Sequence, residues 1–159
     1  MNLFNRLRKE NGVMSLGYML ASLLILGIIL LLFEFYRIYT IKQNLDVELS
    51  RAVNIALDLS MMDIYRRDHQ LELDAGSAKD HLFSYLNNEL KLDGNLRYHD
   101  SKGKEVFELN IDDLFIQKAP PVIKLRVSVI IKPTYFGNMY LDNIRFTVKA
   151  ASQNNRIGD

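Results

Sequence analysis

The feature that most constrains this chain is an apolar segment close to its amino terminus. The 21 residues from Val13 to Phe33 contain no charged side chain. A helix of that length is about 31 Å long, and the hydrocarbon core of a bilayer is about 30 Å thick. The rest of the 159-residue chain is too small to enclose such a helix on every side. We therefore predict a transmembrane helix over 13–33, with the lipid bilayer around it.

The residues on either side of the segment predict how it lies in the membrane. The apolar region of a cleaved secretory signal has about 7–15 residues and ends at small residues, whereas here Leu30–Phe33 lead directly into Glu34. The segment should therefore stay attached as a single-pass anchor of the cell membrane. Three basic residues precede it and two follow closely, so the positive-inside rule predicts a cytoplasmic leader over 1–12 and an extracytoplasmic carboxyl-terminal domain. The basic residues are Arg6, Arg8 and Lys9 before the segment, and Arg37 and Lys42 after it.

A cluster of aromatic and charged residues follows the apolar segment and predicts its outer boundary. Aromatic rings are enriched at the level of the lipid headgroups. Glu34 stands three residues before Arg37, the spacing at which helical side chains pair. A buried salt bridge to another helix is the alternative role for this glutamate. The predicted interfacial anchor consists of Phe33, Glu34, Phe35, Tyr36, Arg37 and Tyr39.

The helix is expected to continue beyond the membrane. No Gly or Pro occurs between Glu34 and Met62, and apolar residues recur at helical spacing. Opposite charges also stand three residues apart, as in Glu48 and Arg51. We predict an extracytoplasmic continuation over 34–66 with one apolar stripe that must be covered. The stripe contains Ile38, Ile41, Leu45, Leu49, Val53, Ala56 or Leu57, and Leu59.

Residues 67–151 predict a head domain, which makes the chain α+β. A second helix is expected to begin near Asp74 or Ser77 and to end at Asp93-Gly94, with apolar residues at every fourth position. Apolar and polar residues then alternate with the period of two that is typical of strands. Such strands must be covered on one face, which predicts an antiparallel β-sheet of about four strands packed on the two helices. The helix positions are Ala78, Leu82, Leu86 and Leu90, the strands cover Leu96–His99, Phe107–Ile111, Ile123–Ile131 and Ile144–Ala150, and 152–159 is a solvated tail.

Charge is unevenly distributed along the chain. Residues 34–118 carry eleven basic and sixteen acidic side chains, whereas 119–159 carry six and two. The basic strand face either stays solvated and complements the acidic helices of its own chain, or contacts the acidic face of another subunit. Nucleic acid is not an expected partner, because the face is predicted to lie outside the cell and lacks interleaved stacking aromatics. The candidate head contact surface consists of Lys124, Arg126, Lys132, Arg145 and Lys149.

The sequence contains no recognisable catalytic or cofactor motif. There is no Cys, and His69, His81 and His99 stand 12 and 18 residues apart, which is not a metal-ligand spacing. The eight glycines form no phosphate-binding loop, nucleophile elbow or dinucleotide fingerprint. We therefore expect a protein that is not an enzyme, holds no metal or cofactor, and acts by association.

Small and hydroxyl residues inside the apolar segment have two interpretations. Gly17 and Ala21 form a small-xxx-small step that lets another helix approach closely, and Ser15 and Ser22 could hydrogen-bond across such a contact. Glycine is also simply common in membrane helices. The first interpretation predicts a helix–helix contact at this step, and the second predicts none.

The amino-terminal third of the chain resembles a known family. Glu10-Asn11-Gly12 ends a short basic leader, Glu34-Phe35-Tyr36-Arg37 follows the uninterrupted apolar segment, and Glu48-Leu49-Ser50-Arg51-Ala52 lies farther along the helix. This arrangement resembles the TadE-like pseudopilins of tight-adherence (Tad) pilus systems. The resemblance implies that a prepilin-type peptidase cuts after Gly12 and leaves Val13 as the new amino terminus.

Two functions are compatible with these features. The first is a minor pilin or pseudopilin-like subunit of a Tad-type pilus or secretion machine, which binds other machine subunits or copies of itself through its anchor and head. The second is a membrane-tethered binding or sensor module that works through a partner protein. In the second, the head binds a ligand at a wide loop and at the neighbouring strand edge. The loop contains Tyr135, Phe136 and Tyr140, and the edge contains Pro120 and Pro121.

Overall fold

The computed structural model describes the backbone of residues 3–61, 72–134 and 143–153, and the side chains of these residues from 16 onward. The chain divides into two compact units, Met1–Ile38 and Tyr39–Asp159. The described residues form two α-helices and a four-stranded antiparallel sheet, which confirms the predicted α+β class. The leader side chains through Ser15, the Tyr135–Tyr140 loop and the tail beyond Gln153 lie outside the described residues.

Helix α1 is continuous from Leu3 to Leu59. The predicted continuation beyond the apolar segment is therefore confirmed as far as Leu59. The helix can continue there because no Gly or Pro interrupts that stretch. The chain leaves the helix at Ser60, whose N–H bonds to the Leu57 carbonyl (3.3 Å), and residue 61 then pairs with Leu73. Leu59 is 60% exposed, so its predicted place on the buried stripe is wrong: the helix ends there and no further turn brings it onto the core. The buried residues of α1's carboxyl-terminal half are Leu45, Leu49, Ala52, Val53, Ala56 and Leu57.

Helix α2 spans Ala75–Asn88 and buries Ala78, Leu82 and Leu86. Its N-cap is Asp74, whose Oδ1 accepts a hydrogen bond from the Gly76 N–H (3.0 Å), so the alternative start at Ser77 is wrong. The helix also ends before Leu90, and the predicted end at Asp93-Gly94 is too late.

The early end of α2 has a local cause. Lys91 adopts a left-handed backbone conformation (φ 53°), which turns the chain so that the Leu92 N–H reaches the Leu86 carbonyl (3.4 Å). Leu92 thereby becomes buried, whereas Leu90 is only partly covered.

The sheet consists of β1 (Arg97–His99), β2 (Glu105–Gln117), β3 (Val122–Ile131) and β4 (Ile144–Gln153). The strands lie side by side in chain order, and each pairs antiparallel with the next. The predicted turn between β1 and β2 is present, with the Gly103 N–H bonded to the Asp100 carbonyl (2.9 Å) and Gly103 at φ 74°. Strand β4 includes Ser152 and Gln153, so the tail begins two residues later than predicted.

Strand β2 begins two residues before and ends six residues after the predicted segment Phe107–Ile111, and a β-bulge interrupts its alternation. The register shifts between Ile111 and Asp113, so that Ile111 pairs with Val127 but Leu114 pairs with Leu125. The extra residue keeps apolar side chains on the core side and leaves both aspartates, Asp112 and Asp113, exposed. A strict period of two would have placed Asp113 in the core.

One face of the sheet forms the core with the helices. Strand β3 alternates as predicted, with buried apolar residues separated by exposed Lys124 and Arg126. Every described apolar residue that is buried lies between Leu45 and Ala150, so this core belongs to the second unit. The sheet contributes Phe107, Leu109, Ile123, Leu125, Val127, Val129, Ile131, Val148 and Ala150.

Candidate functional site

The first candidate surface is the apolar part of α1. From Leu16 onward this stretch has a mean hydropathy of 2.6 and none of it is buried, so by length and composition it could cross a membrane. Exposed side chains occur at successive positions and therefore point in every direction around the helix axis. They include Leu16, Met19, Leu20, Leu23, Leu24, Ile25, Leu26, Ile28, Leu32 and Phe33, all 52–67% exposed.

The small-residue step on this helix is open. A Cβ placed on Gly17 would meet no atom within 4 Å, so nothing in the described residues fills the space beside it. The Ser22 hydroxyl donates to the Met19 carbonyl of its own helix (2.8 Å), so its proton already has an acceptor. The predicted contact residues Gly17, Ala21 and Ser22 are thus exposed on α1. The predicted cleavage site at Gly12 and Val13 lies within the described backbone of α1, but nothing is described of the side chains there or of the Ser15 side chain.

The predicted interfacial anchor combines exposed rings with one buried ion pair. The aromatic residues are 59–71% exposed, whereas Glu34 is only 2% exposed. Its Oε1 accepts a hydrogen bond from the Arg37 guanidinium at 2.6 Å. The pairing of Glu34 with Arg37 is therefore confirmed. The exposed rings are Phe33, Phe35, Tyr36 and Tyr39.

The predicted basic surface separates into a neutralised residue and four cations. The Lys132 ammonium donates a hydrogen bond to Oε2 of Glu105 at 2.8 Å, and this bond lowers the pKa of the Glu105 carboxyl. Lys132 is thus compensated by its own chain. The other four are exposed or partly exposed and make no ion pair with any side chain in the described ranges. We call these four the cationic face; they are Lys124, Arg126, Arg145 and Lys149.

The cationic face places like charges side by side. The register sets Arg126 directly opposite Lys149 across β3 and β4, an arrangement that destabilises a sheet. Lys124 lies next to them with its ammonium 5.9 Å from the ring centre of Phe115, which is 47% exposed. A groove of about 360 Å³ runs among these side chains, and Asp113 on β2, which stands opposite Arg126, is also part of its lining. The arrangement can hold anionic groups, and its apolar floor favours a polypeptide over a free ion.

A second groove lies between α1, residues 89–91 directly after α2, and the sheet, all within the second unit. It has a volume of about 580 Å³ and is lined by apolar side chains, including Ile41 and Leu90, together with Glu48 and Glu89. Tyr98 and Phe107 stack at 5.1 Å between ring centres and form one wall. The sequence pattern did not predict this groove, because its lining comes from four segments that are far apart in the sequence. The alternating pattern predicted the two strands that carry Tyr98 and Phe107, but not that their rings stack.

The Glu48 carboxylate beside this groove is already engaged. It accepts hydrogen bonds from the Tyr85 hydroxyl (2.8 Å) and from Arg51 (3.1 Å), which confirms the predicted pairing of Glu48 with Arg51. Burial raises the pKa of the Tyr85 phenol, and the hydrogen bond to Glu48 raises it further. This network joins α1 to α2 and has a structural role.

The remaining candidate groups are dispersed. His81 and His99 lie in different elements, and His69 is in the undescribed part. Among the described residues there is no group of three or more His, Cys, Asp or Glu side chains placed to hold a metal ion. Pro120 is exposed but Pro121 is buried, so the predicted ligand-binding edge is only half available.

Comparison with known proteins gives no relative: no protein-family model, curated protein or solved structure matches the chain.

Proposed function

We propose that this chain is a single-pass membrane protein with a cytoplasmic amino terminus and an extracytoplasmic head that binds other protein subunits. The observation that carries the proposal is the apolar part of α1, whose large side chains are exposed in every direction. Removing each such side chain from water is worth about 1.5–3 kcal/mol, so the segment requires lipid or other apolar helices around it.

The flanking residues support the direction of insertion. Three basic residues precede the apolar segment and two follow it closely, which favours a cytoplasmic amino terminus. The ion pair between Glu34 and Arg37 and the exposed rings around it suit the outer headgroup region, where amphipathic rings and paired charges are stable.

Within that class, we assign the chain the role of a TadE-like pilin subunit of a Tad-type pilus or secretion machine. Support comes from the leader ending in Gly12, the apolar segment after it, and the continuation of the same helix into the head. The fifth residue after the cleavage site is Gly17, where the family has Glu. The anchor would accordingly pack on neighbouring helices through the Gly17–Ala21 step, and the head would dock on other subunits.

Membrane extraction and topology mapping of the full chain test the proposal. We expect the protein to stay with membranes after alkaline carbonate washing and to dissolve only in detergent. A carboxyl-terminal tag should be digested by protease added outside intact cells. Replacing Arg6, Arg8 and Lys9 by Glu should invert the chain and protect the tag, and replacing Lys79, Lys91 and Lys102 by Glu is the matched control that should not.

The amino terminus of the mature protein tests the pilin assignment separately. Intact-mass analysis should give a chain beginning at Val13 when a prepilin-type peptidase is co-expressed, and Gly12→Leu should block the cut. A chain that begins at Met1 in the presence of the peptidase contradicts the pilin assignment and leaves the anchored role intact.

The groove beside Glu48 favours a second candidate function, a membrane-tethered binding module. Its volume of about 580 Å³ lies in the range of small-molecule sites, and apolar walls with a few polar groups are typical of them. Native mass spectrometry of the detergent-purified protein tests this function. A bound small molecule that is lost in Tyr98→Ala but kept in Tyr39→Ala would support it, since Tyr39 does not line the groove.

A further inference from the structure

Strand β4 is a long strand at the edge of the described sheet. It is ten residues long and pairs with β3 over its full length. Within the described residues, no other strand bonds to its outer edge. The opposite edge of the sheet is formed by β1, which has only three residues and an irregular register, and beyond β1 by the second half of β2, which a bulge at Asp112 interrupts. A long regular edge can accept another strand, whereas a short irregular one cannot.

The core is incomplete beside the first half of β4. Ile144 and Phe146 face the core side but are only partly buried. Their partners on β3, Ile131 and Val129, are both 0% exposed. A further strand next to β4 would cover these two apolar side chains in the way that β4 covers those of β3.

The outer side of β4 carries uncompensated positive charge. Arg145 and Lys149 stand four residues apart on the solvent face and make no ion pair with a described side chain. The nearest neighbour of Lys149 across the sheet is another cation, Arg126. A strand with acidic residues at the facing positions would relieve this repulsion.

We propose that β4 binds an extended acidic segment of a partner protein as a fifth strand. The backbone edge supplies hydrogen bonds, and the side chains select the sequence. The segment has acidic residues four positions apart, opposite Arg145 and Lys149, and apolar residues opposite Ile144, Phe146 and Val148.

The charges argue against a second copy of β4 as the occupant. An antiparallel pairing of two β4 strands centred on Thr147 would set Arg145 of each copy opposite Lys149 of the other. Like charges directly opposite each other destabilise such a pair. The partner is therefore a different chain. The proposal goes beyond the membrane-anchored role and does not depend on it, because β4 belongs wholly to the second unit.

A designed peptide tests the proposal on the full-length protein in phosphatidylcholine nanodiscs. The probe is a fluorescent nine-residue peptide with Glu at the two positions facing Arg145 and Lys149, Val at the core-side positions and Thr elsewhere. Its controls are the same peptide with Lys in place of Glu, and the Glu peptide with alternate amides N-methylated. Binding is measured by fluorescence anisotropy, and protection of β4 amides by hydrogen exchange.

We expect the Glu peptide to bind about tenfold more tightly than the Lys peptide, as two cross-strand charge pairs require. N-methylation should weaken binding at least as much, and the bound peptide should slow exchange along β4. The double variant Arg145→Glu, Lys149→Glu should reverse the preference, while Lys79→Glu, Lys102→Glu should leave it unchanged.

Two results would overturn the proposal. Equal binding of the N-methylated peptide would mean that charge attracts the peptide without strand addition. Self-association of the double variant Arg145→Gln, Lys149→Gln, with no peptide binding by the wild type, would mean that the two cations only protect the edge from pairing.

Discussion

Two aspartates in the loops on either side of β1 stabilise these loops by accepting hydrogen bonds from backbone N–H groups. The Asp93 Oδ1 accepts hydrogen bonds from the backbone N–H groups of Arg97 and Asn95, each at 2.9 Å. The Asp100 Oδ1 does the same for Lys104 (2.9 Å) and Lys102 (2.8 Å). These bonds lower the pKa of both carboxyls. Some of the acidic side chains of residues 34–118 therefore stabilise turns of their own chain.

The lowered pKa of Asp100 predicts a loss of stability in acid. A carboxyl with a lower pKa in the folded state stabilises the fold at neutral pH, and this contribution disappears as the pH falls below about 4 and passes through the folded pKa. Asp100→Asn keeps the acceptor oxygen but cannot titrate, so its melting temperature should fall less than that of the wild type between pH 7 and pH 3. Asp100→Ala should melt roughly 3–5 °C lower than the wild type already at pH 7. Circular dichroism melts of the three proteins measure this, and an equal acid shift in wild type and Asp100→Asn would contradict it.

Helix α1 lies in two environments although it is one regular element. Its apolar half is exposed on every side, whereas the half after Tyr39 buries one stripe and exposes the opposite face. The same helical geometry thus presents an exposed apolar surface in one half and a single core-facing stripe in the other. The first fully buried residue of this stripe is Leu45, whereas Val47 on the opposite face of the helix is 49% exposed.

Leu49 and Val47 allow a matched test of this difference. Leu49 is 0% exposed, so Leu49→Ala leaves a cavity in the core and should lower the free energy of unfolding by about 2–5 kcal/mol. Val47→Ala on the exposed face should change it by no more than about 0.5 kcal/mol. Denaturant titration of the detergent-solubilised chain, followed by tyrosine fluorescence, gives both values. Similar losses in the two variants would show that the stripe is assigned to the wrong face.

The open Gly17–Ala21 step predicts a helix contact in the membrane. Gly17→Leu should abolish close approach of a neighbouring helix and lower energy transfer between labelled copies or labelled partners in vesicles at least severalfold. Gly27→Leu is the control, because Gly27 lies in the same apolar helix and a Cβ there also meets nothing within 4 Å. An equal response of the two variants would place the contact, if there is one, on another face of α1.

The elements differ in how far the sequence predicts them. The continuation of α1 past the apolar segment and the faces of β3 and β4 follow from hydrophobic period, and the structure has them as predicted, although α1 ends at Leu59 and not at 66. The second half of β2 could not be predicted, because the bulge at Asp112 reverses the alternation on which strand prediction rests. The predicted end of α2 is too late for a similar reason, since the left-handed conformation of Lys91, after which Leu92 is buried, has no signal in the local sequence. The sequence predicts the cations of the candidate contact surface. It does not predict that Lys132 pairs with Glu105, because the two residues stand 27 positions apart and meet only through the strand register.

At the scale of the whole molecule, the buried core and the apolar surface belong to different parts of the chain. All described apolar residues that are buried lie from Leu45 to Ala150, inside the unit that begins at Tyr39. The stretch that could cross a membrane contributes no buried apolar residue to that core. We therefore expect the second unit to form without the apolar segment.

A fragment that begins at Tyr39 and runs to Asp159 should therefore fold on its own in water. It retains the buried stripe of α1, all of α2 and the four strands, and it loses the exposed apolar side chains that would make the full chain insoluble. We expect a soluble monomer by analytical ultracentrifugation, with circular dichroism typical of mixed helix and strand and a cooperative thermal transition. The matched fragment that begins at Ala52 lacks Leu45 and Leu49, which are buried in the core. It should aggregate or remain unfolded, because the free-energy cost of two large cavities is comparable to the whole free energy of unfolding of a small domain. Should the fragment from Tyr39 fail to fold while the full chain is well folded in detergent, the membrane segment would have to stabilise the head directly, and the division of the molecule into an independent head and an anchor would be wrong.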